Sequence, residues 1–99
     1  MKSRRDIEMN FTRAVSQAQE LEQISKELSE IATAHMAGAL EMLAINWKGD
    51  NANAFKEKGK ILTDEMLDTA DDIIKVANSI QSTAKLIYNA ERTAMQLGF

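Results

Sequence analysis

The stretch "INWKGDNANAF", Ile45 to Phe55, is the only part of this chain that reads as a turn. Gly49 permits a positive φ, and Asp50 or Asn51 can cap a following helix. The sole tryptophan, Trp47, stands two residues before that glycine. Long helical patterns lie on both sides. If this stretch is a bend, the chain folds back on itself as two helices joined by a short connection. Such a connection makes consecutive helices antiparallel neighbours.

Working outward toward the start, Ser3 and Asp6 have the spacing of a capping box, in which hydroxyl and carboxylate each accept from the other residue's backbone N–H. Behind them runs an apolar stripe: Ile7, Phe11, Ala14, Ala18, Leu21, Ser25, Leu28, Ala32, His35, Ala39, Met42. Its steps alternate between four and three, the spacing of one helix seam. Val15, Ile24, Ile31, Met36, Leu40 and Leu43 widen it. A second stripe runs Phe55, Gly59, Leu62, Met66, Thr69, Ile73, Ala77, Ile80, Ala84, Ile87, with Ala70, Ile74 and Tyr88 beside it. The expected boundaries are a first helix over about 4–45, a turn over about 46–51 and a second helix over about 52–95, all in one domain spanning 1–99. The closing "QLGF" is expected to fray. Helices of about 40 residues are about 60 Å long.

The predicted fold is all-α: an antiparallel two-helix hairpin that pairs into a four-helix-bundle dimer. Two helices cover only one side of each other's stripe, and these stripes are wider than one seam. A partner hairpin would bury on the order of 2,000 Å² or more. The residues expected at the core and dimer seam are Phe11, Leu21, Leu28, Phe55, Leu62, Ile73, Ile80 and Ile87. Met9, Met36, Met42, Met66 and Met95 add adaptable apolar surface.

Composition narrows the function. The chain has no cysteine and no proline, so disulfides and thiolate chemistry are excluded and long helices need not break. Its net charge of −3, from 12 basic and 15 acidic residues, speaks against nucleic acid. Lys56, Lys58 and Lys60 are two apart, so on a helix they do not form one patch. No apolar run is long enough for membrane insertion. The start "MKSRRDIEMN" has no apolar leader core, which predicts synthesis in the cytoplasm and, if the protein leaves the cell, export without a cleavable signal peptide.

Chemistry-bearing groups are sparse. His35, the only histidine, falls on the apolar stripe with no second His or Cys to complete a metal site, and reads as a packed or interface residue. Asp64, Glu65, Asp68, Asp71 and Asp72 form an acidic run. A straight helix cannot wrap a calcium ion, so a solvated face partly paired with Lys75 is expected. No serine–histidine arrangement or phosphate loop is present. The expectation is a non-enzyme with no catalytic residue, metal or cofactor.

The Trp47-Lys48-Gly49 tripeptide stands centrally between two amphipathic helices, with Ala52 and Phe55 after it. In this the chain resembles the WXG family of small secreted proteins, the early-secreted-antigen-like substrates of the type VII (ESX) secretion system. The resemblance covers the whole chain. It implies hairpins that pair as homodimers or heterodimers and are read as folded dimers by the secretion ATPase. By that analogy Gly49 makes the bend, and Trp47 is a plug for the hairpin end, a recognition element, or both. Family members that carry the export signal usually have a tyrosine followed four residues later by an acid. Here Tyr88 is followed by Glu91 at three residues, and Arg92 takes the fourth, so Tyr88 and Glu91 are a candidate signal that departs from the pattern. The departure keeps two alternatives open: a dedicated partner and targeting factor for a larger LXG-domain effector, or a cytoplasmic helical adaptor with no link to secretion.

Overall fold

The computed structural model describes residues 2–47 and 49–98. Lys48, the middle of the Trp-X-Gly tripeptide, lies outside the described residues. The protein is an all-α helical hairpin. Helix α1 spans Arg4–Glu30, a π-helical segment follows over Ile31–Met36, α2 spans Ala37–Asn46, and α3 spans Asp50–Gln96. Among the described residues there is no strand.

The helix ends follow from local chemistry. The Asp6 N–H donates to Ser3 Oγ at 3.2 Å, and the Ser3 N–H donates to Asp6 Oδ2 at 3.3 Å. This is the reciprocal capping box that the spacing predicts. At the end of α2, Asn46 Nδ2 donates to the Met42 carbonyl at 3.0 Å, satisfying one of the free carbonyls there. Gly49, at φ +116°, precedes α3, and the Asn53 N–H donates to its carbonyl at 3.1 Å. The cap position of α3 therefore belongs to Gly49. Asp50 lies inside the first turn, where its charge favours the positive end of the helix dipole. At the other end α3 runs to Gln96, and the Gly98 N–H, at φ +83°, donates to the Met95 carbonyl at 3.1 Å. That is a glycine C-cap. Phe99, the last residue of the stretch expected to fray, lies outside the described residues.

The chain divides into two compact units, Met1–Glu22 with Ile74–Phe99, and Gln23–Ile73. In the first, Lys2 meets Glu91, Phe11 meets Tyr88 and Glu22 meets Gln81. In the second, Ser25 meets Ala70, Leu40 meets Gly59 and Trp47 meets Phe55. In each unit the partner number falls as the first rises, so the two arms are antiparallel.

Small residues line the seam between the arms. Ala18, Ser25 and Ala32 recur every seven residues on one arm, and Ala70, Ala77 and Ala84 do so on the other. All six are buried, together with Ile7 and Ala52. Small side chains at a contact let helix axes approach. Of the large residues expected in the seam, Phe11, Leu21, Leu28, Ile73 and Ile80 are half-buried, whereas Phe55, Leu62 and Ile87 are exposed. Five of the six small residues, all but Ala70, stand in the expected stripes; within the single hairpin the deepest positions are mainly alanine and serine, and the larger seam residues are half-buried or exposed.

The first arm also differs from a continuous helix over 4–45. Its regular ladder changes to π geometry at Ile31–Met36. Beyond that point Met36, Leu40 and Leu43 are half-buried, and His35, Ala39 and Met42, the expected seam residues, are exposed. An i→i+5 turn takes up extra residue length, which slips the phase. His35 is thus not packed in the hairpin. Thr33 Oγ1 donates to the Ser29 carbonyl at 2.8 Å at this point, a side-chain bond that competes with the helical ladder.

Candidate functional site

Three places in the fold concentrate features that the seam does not use. The first is the turn. Trp47 leaves the helix with φ −133° and ψ 123°, and its N–H donates to the Leu43 carbonyl at 2.8 Å. Its ring lies against Phe55, with centroids 6.0 Å apart and planes tilted by 56°. Trp47 remains 43 % exposed and Phe55 59 %. Met42 and Ile45 are exposed on α2 just before them. The two turn residues singled out by sequence, Trp47 and Gly49, have the roles of apolar surface and bend. Clustered large apolar side chains left in water mark a contact surface.

The second place holds the candidate tail residues. Tyr88 is half-buried, and its ring packs on Phe11 at 4.6 Å and 32°. The Arg92 guanidinium stands 5.5 Å from the Tyr88 ring centroid, and its Nη1 donates to the Tyr88 hydroxyl at 3.4 Å. Lys2 Nζ pairs with Glu91 Oε1 at 3.1 Å, while Glu91 Oε2 is buried without a hydrogen-bond partner. Tyr88 and Glu91 are therefore both engaged within the hairpin. Sequence spacing placed them a turn apart and missed their partners. Arg92 four residues after Tyr88 was the readable signal, since that spacing stacks side chains on one face.

The third is apolar surface on α3 within each unit. In the first unit Val76 and Ile87 are exposed and Ile80 is half-buried; in the second Leu62 is exposed and Met66 and Ile73 are half-buried. In the first unit an open groove of about 490 Å³ is lined by Ala14, Val76, Ile80, Thr83, Ala84 and Ile87, with Lys75 and Ser79. Its chemistry is contact area: alkyl groups, two hydroxyls and one amine. In the second unit Ile24 and Ile31 are exposed on the first arm. The acidic residues Asp64, Glu65, Asp68, Asp71 and Asp72 are exposed along α3. Among the described residues, no helix is long and apolar enough to cross a membrane.

Compared with known proteins, the chain matches no family model, no curated protein and no solved structure.

Proposed function

We propose that this chain is a small, non-enzymatic substrate or partner of a type VII secretion system, acting as a dimer of helical hairpins of the Trp-X-Gly kind. The observation that carries the reading is the turn. Gly49, at φ +116°, joins antiparallel helices two residues after an exposed tryptophan packed on Phe55. The partner is a second copy or a similar hairpin, which would cover the apolar residues Leu62, Val76 and Ile87 of α3. The secretion ATPase would then read the folded pair.

One observation favours the partner-dependent form. Tyr88 is packed on Phe11 and bridged by Arg92, and Glu91 is paired with Lys2. A signal must be reachable, and these groups are occupied. Export would then draw on the tail of a partner, such as an LXG-domain effector that this chain accompanies out of the cytoplasm.

The test is a tagged copy expressed in the native host, with cells and medium compared. The reading expects co-recovery of a second hairpin, an LXG-domain protein or a secretion ATPase, and export that Trp47→Ala diminishes while helicity holds. A monodisperse monomer, retained in cells and recovered alone, overturns it.

A further inference from the structure

The seam changes phase at the π-helical segment. Ahead of it the inward positions run Ala18, Leu21, Ser25 and Leu28, and Ala32, at its second residue, keeps the same phase. Continued four-and-three spacing would turn His35, Ala39 and Met42 inward, but these are exposed and Met36, Leu40 and Leu43 take their place. The helix beyond the slip does not choose between the two phases by polarity. α2 reads AGALEMLAIN, in which Glu41 and Asn46 are the only polar side chains. It has no buried residue, and Met42 and Ile45 lie exposed on its outer side. A helix apolar all round can present either face to its neighbour. What holds the observed phase is Leu40, seated where Gly59 of α3 has no side chain.

We propose that Ile31–Met36 is a register switch. In one state the π geometry is present and Met36, Leu40 and Leu43 face α3. In the other the segment closes to an ordinary α-helix. α2 then turns by about 100°, the angle of one helical residue. His35, Ala39 and Met42 replace the first set at the seam. Because α2 runs directly into Trp47, the turn of the helix re-aims the tryptophan. A partner that contacts Met42 and Ile45 selects the first state, and one that contacts Leu40 and Leu43 selects the second. The effect on Trp47 rests on the proposed secretion role; the switch itself rests only on packing within Gln23–Ile73.

Backbone relaxation dispersion on the full chain tests it, using two variants. Deleting Ala34 removes one residue from the π-helical segment, so an uninterrupted α-helix keeps Leu40 inward. Leu40→Ala removes the side chain that holds the observed phase. Wild type is expected to show microsecond-to-millisecond exchange confined to about residues 31–47. The deletion should abolish that exchange while circular dichroism stays helical, and Leu40→Ala should raise the minor population roughly tenfold. Flat profiles over this segment in both wild type and Leu40→Ala overturn the switch, as does exchange that survives the deletion. Export is scored separately. Dispersion as expected with unchanged export of the deletion variant keeps the switch and removes its link to recognition of Trp47.

Discussion

Ser25 Oγ donates to the Ala70 carbonyl at 2.6 Å, a side chain on one arm bonded to the backbone of the other at a buried position. A serine hydroxyl reaches a neighbouring helix backbone only where no large side chain keeps them apart. Ser25→Ala should therefore cost about 1 kcal/mol, the net value of one hydrogen bond. Ala70→Leu should cost more, about 1–3 kcal/mol, because it forces bulk into a seam with no room for it. Urea unfolding followed by circular dichroism separates the two. Similar stability for wild type and Ala70→Leu would mean that the arms do not meet closely there.

Leu40 and Gly59 form a second close pair, and it predicts a coupling. A Cβ on Gly59 would lie 2.5 Å from Leu40 Cδ2, so Gly59→Ala requires the leucine to shift. Alanine also gains about 1 kcal/mol of helix propensity over glycine. In wild type these effects oppose and the net change should be small. In a Leu40→Ala background the obstruction is gone, and Gly59→Ala should stabilise by about 1 kcal/mol. A double-mutant cycle measures the difference. Additive effects would show that the two residues are independent.

The hairpin was legible because its signals are local and mutually consistent. Ser3 and Asp6 specify one helix start, and Gly49 specifies the bend. The phase of the seam was legible too: Ala18, Ser25, Ala32, Ala77 and Ala84 stand in the expected stripes and are buried, while Ala70, set beside the stripe, is buried as well. Periodicity places these residues but does not show that small side chains are the most deeply buried ones. The slip at Ile31–Met36 had no periodic signature. Both continuations, through Ala39 and Met42 or through Leu40 and Leu43, are apolar, and only packing against Gly59 distinguishes them. At the candidate tail, spacing paired Tyr88 with Glu91, but contacts with Phe11 and Lys2 come from distant sequence that no local pattern encodes.

The contrast between seam and flank gives a further prediction. Ala77 is fully buried, while Leu62 and Ile87 are about half exposed. Ala77→Asp should cost several kcal/mol and unfold much of the chain, because it buries an unpaired charge. Leu62→Asp and Ile87→Asp should leave the hairpin helical and, if the proposed dimer forms, weaken it. The same change at exposed Glu30 or Lys85 should be nearly silent in both respects. Circular dichroism reports the fold, and light scattering reports the mass. Retained dimers in Leu62→Asp and Ile87→Asp would remove these residues from the partner surface.

Gly49 is open to solvent, so a methyl group there meets no atom. Its φ of +116° is nevertheless a conformation that side chains with a Cβ rarely adopt. Gly49→Ala should therefore destabilise by about 1–2 kcal/mol through the backbone alone. Thermal melts of Gly49→Ala beside Gly38→Ala make the comparison, since Gly38 also has no neighbour at its Cβ position but lies inside α2. Gly38→Ala should be stabilising by helix propensity. Equal shifts would show that the turn does not need its positive φ.

The turn and the tail make opposite demands on mutation. Trp47 contacts Phe55 and keeps 43 % of its surface in water, so Trp47→Ala should lose about 0.5–1.5 kcal/mol of aromatic contact and leave the helices formed. Tyr88 packs on Phe11 under the Arg92 guanidinium, so Tyr88→Ala should cost more stability than Trp47→Ala, and Tyr88→Phe should retain the stacking and lose only the hydroxyl's bond to Arg92. If the secretion reading holds in its partner-dependent form, export falls in Trp47→Ala at unchanged helicity and is normal in Tyr88→Phe. Export lost in Tyr88→Phe with an unaltered melt would instead make the tyrosine hydroxyl a signal in its own right, and the chain a self-sufficient substrate. Secretion and circular dichroism measured on the same three variants decide between these outcomes. Loss of both export and helicity in Trp47→Ala would leave the tryptophan as a plug for the end of the hairpin.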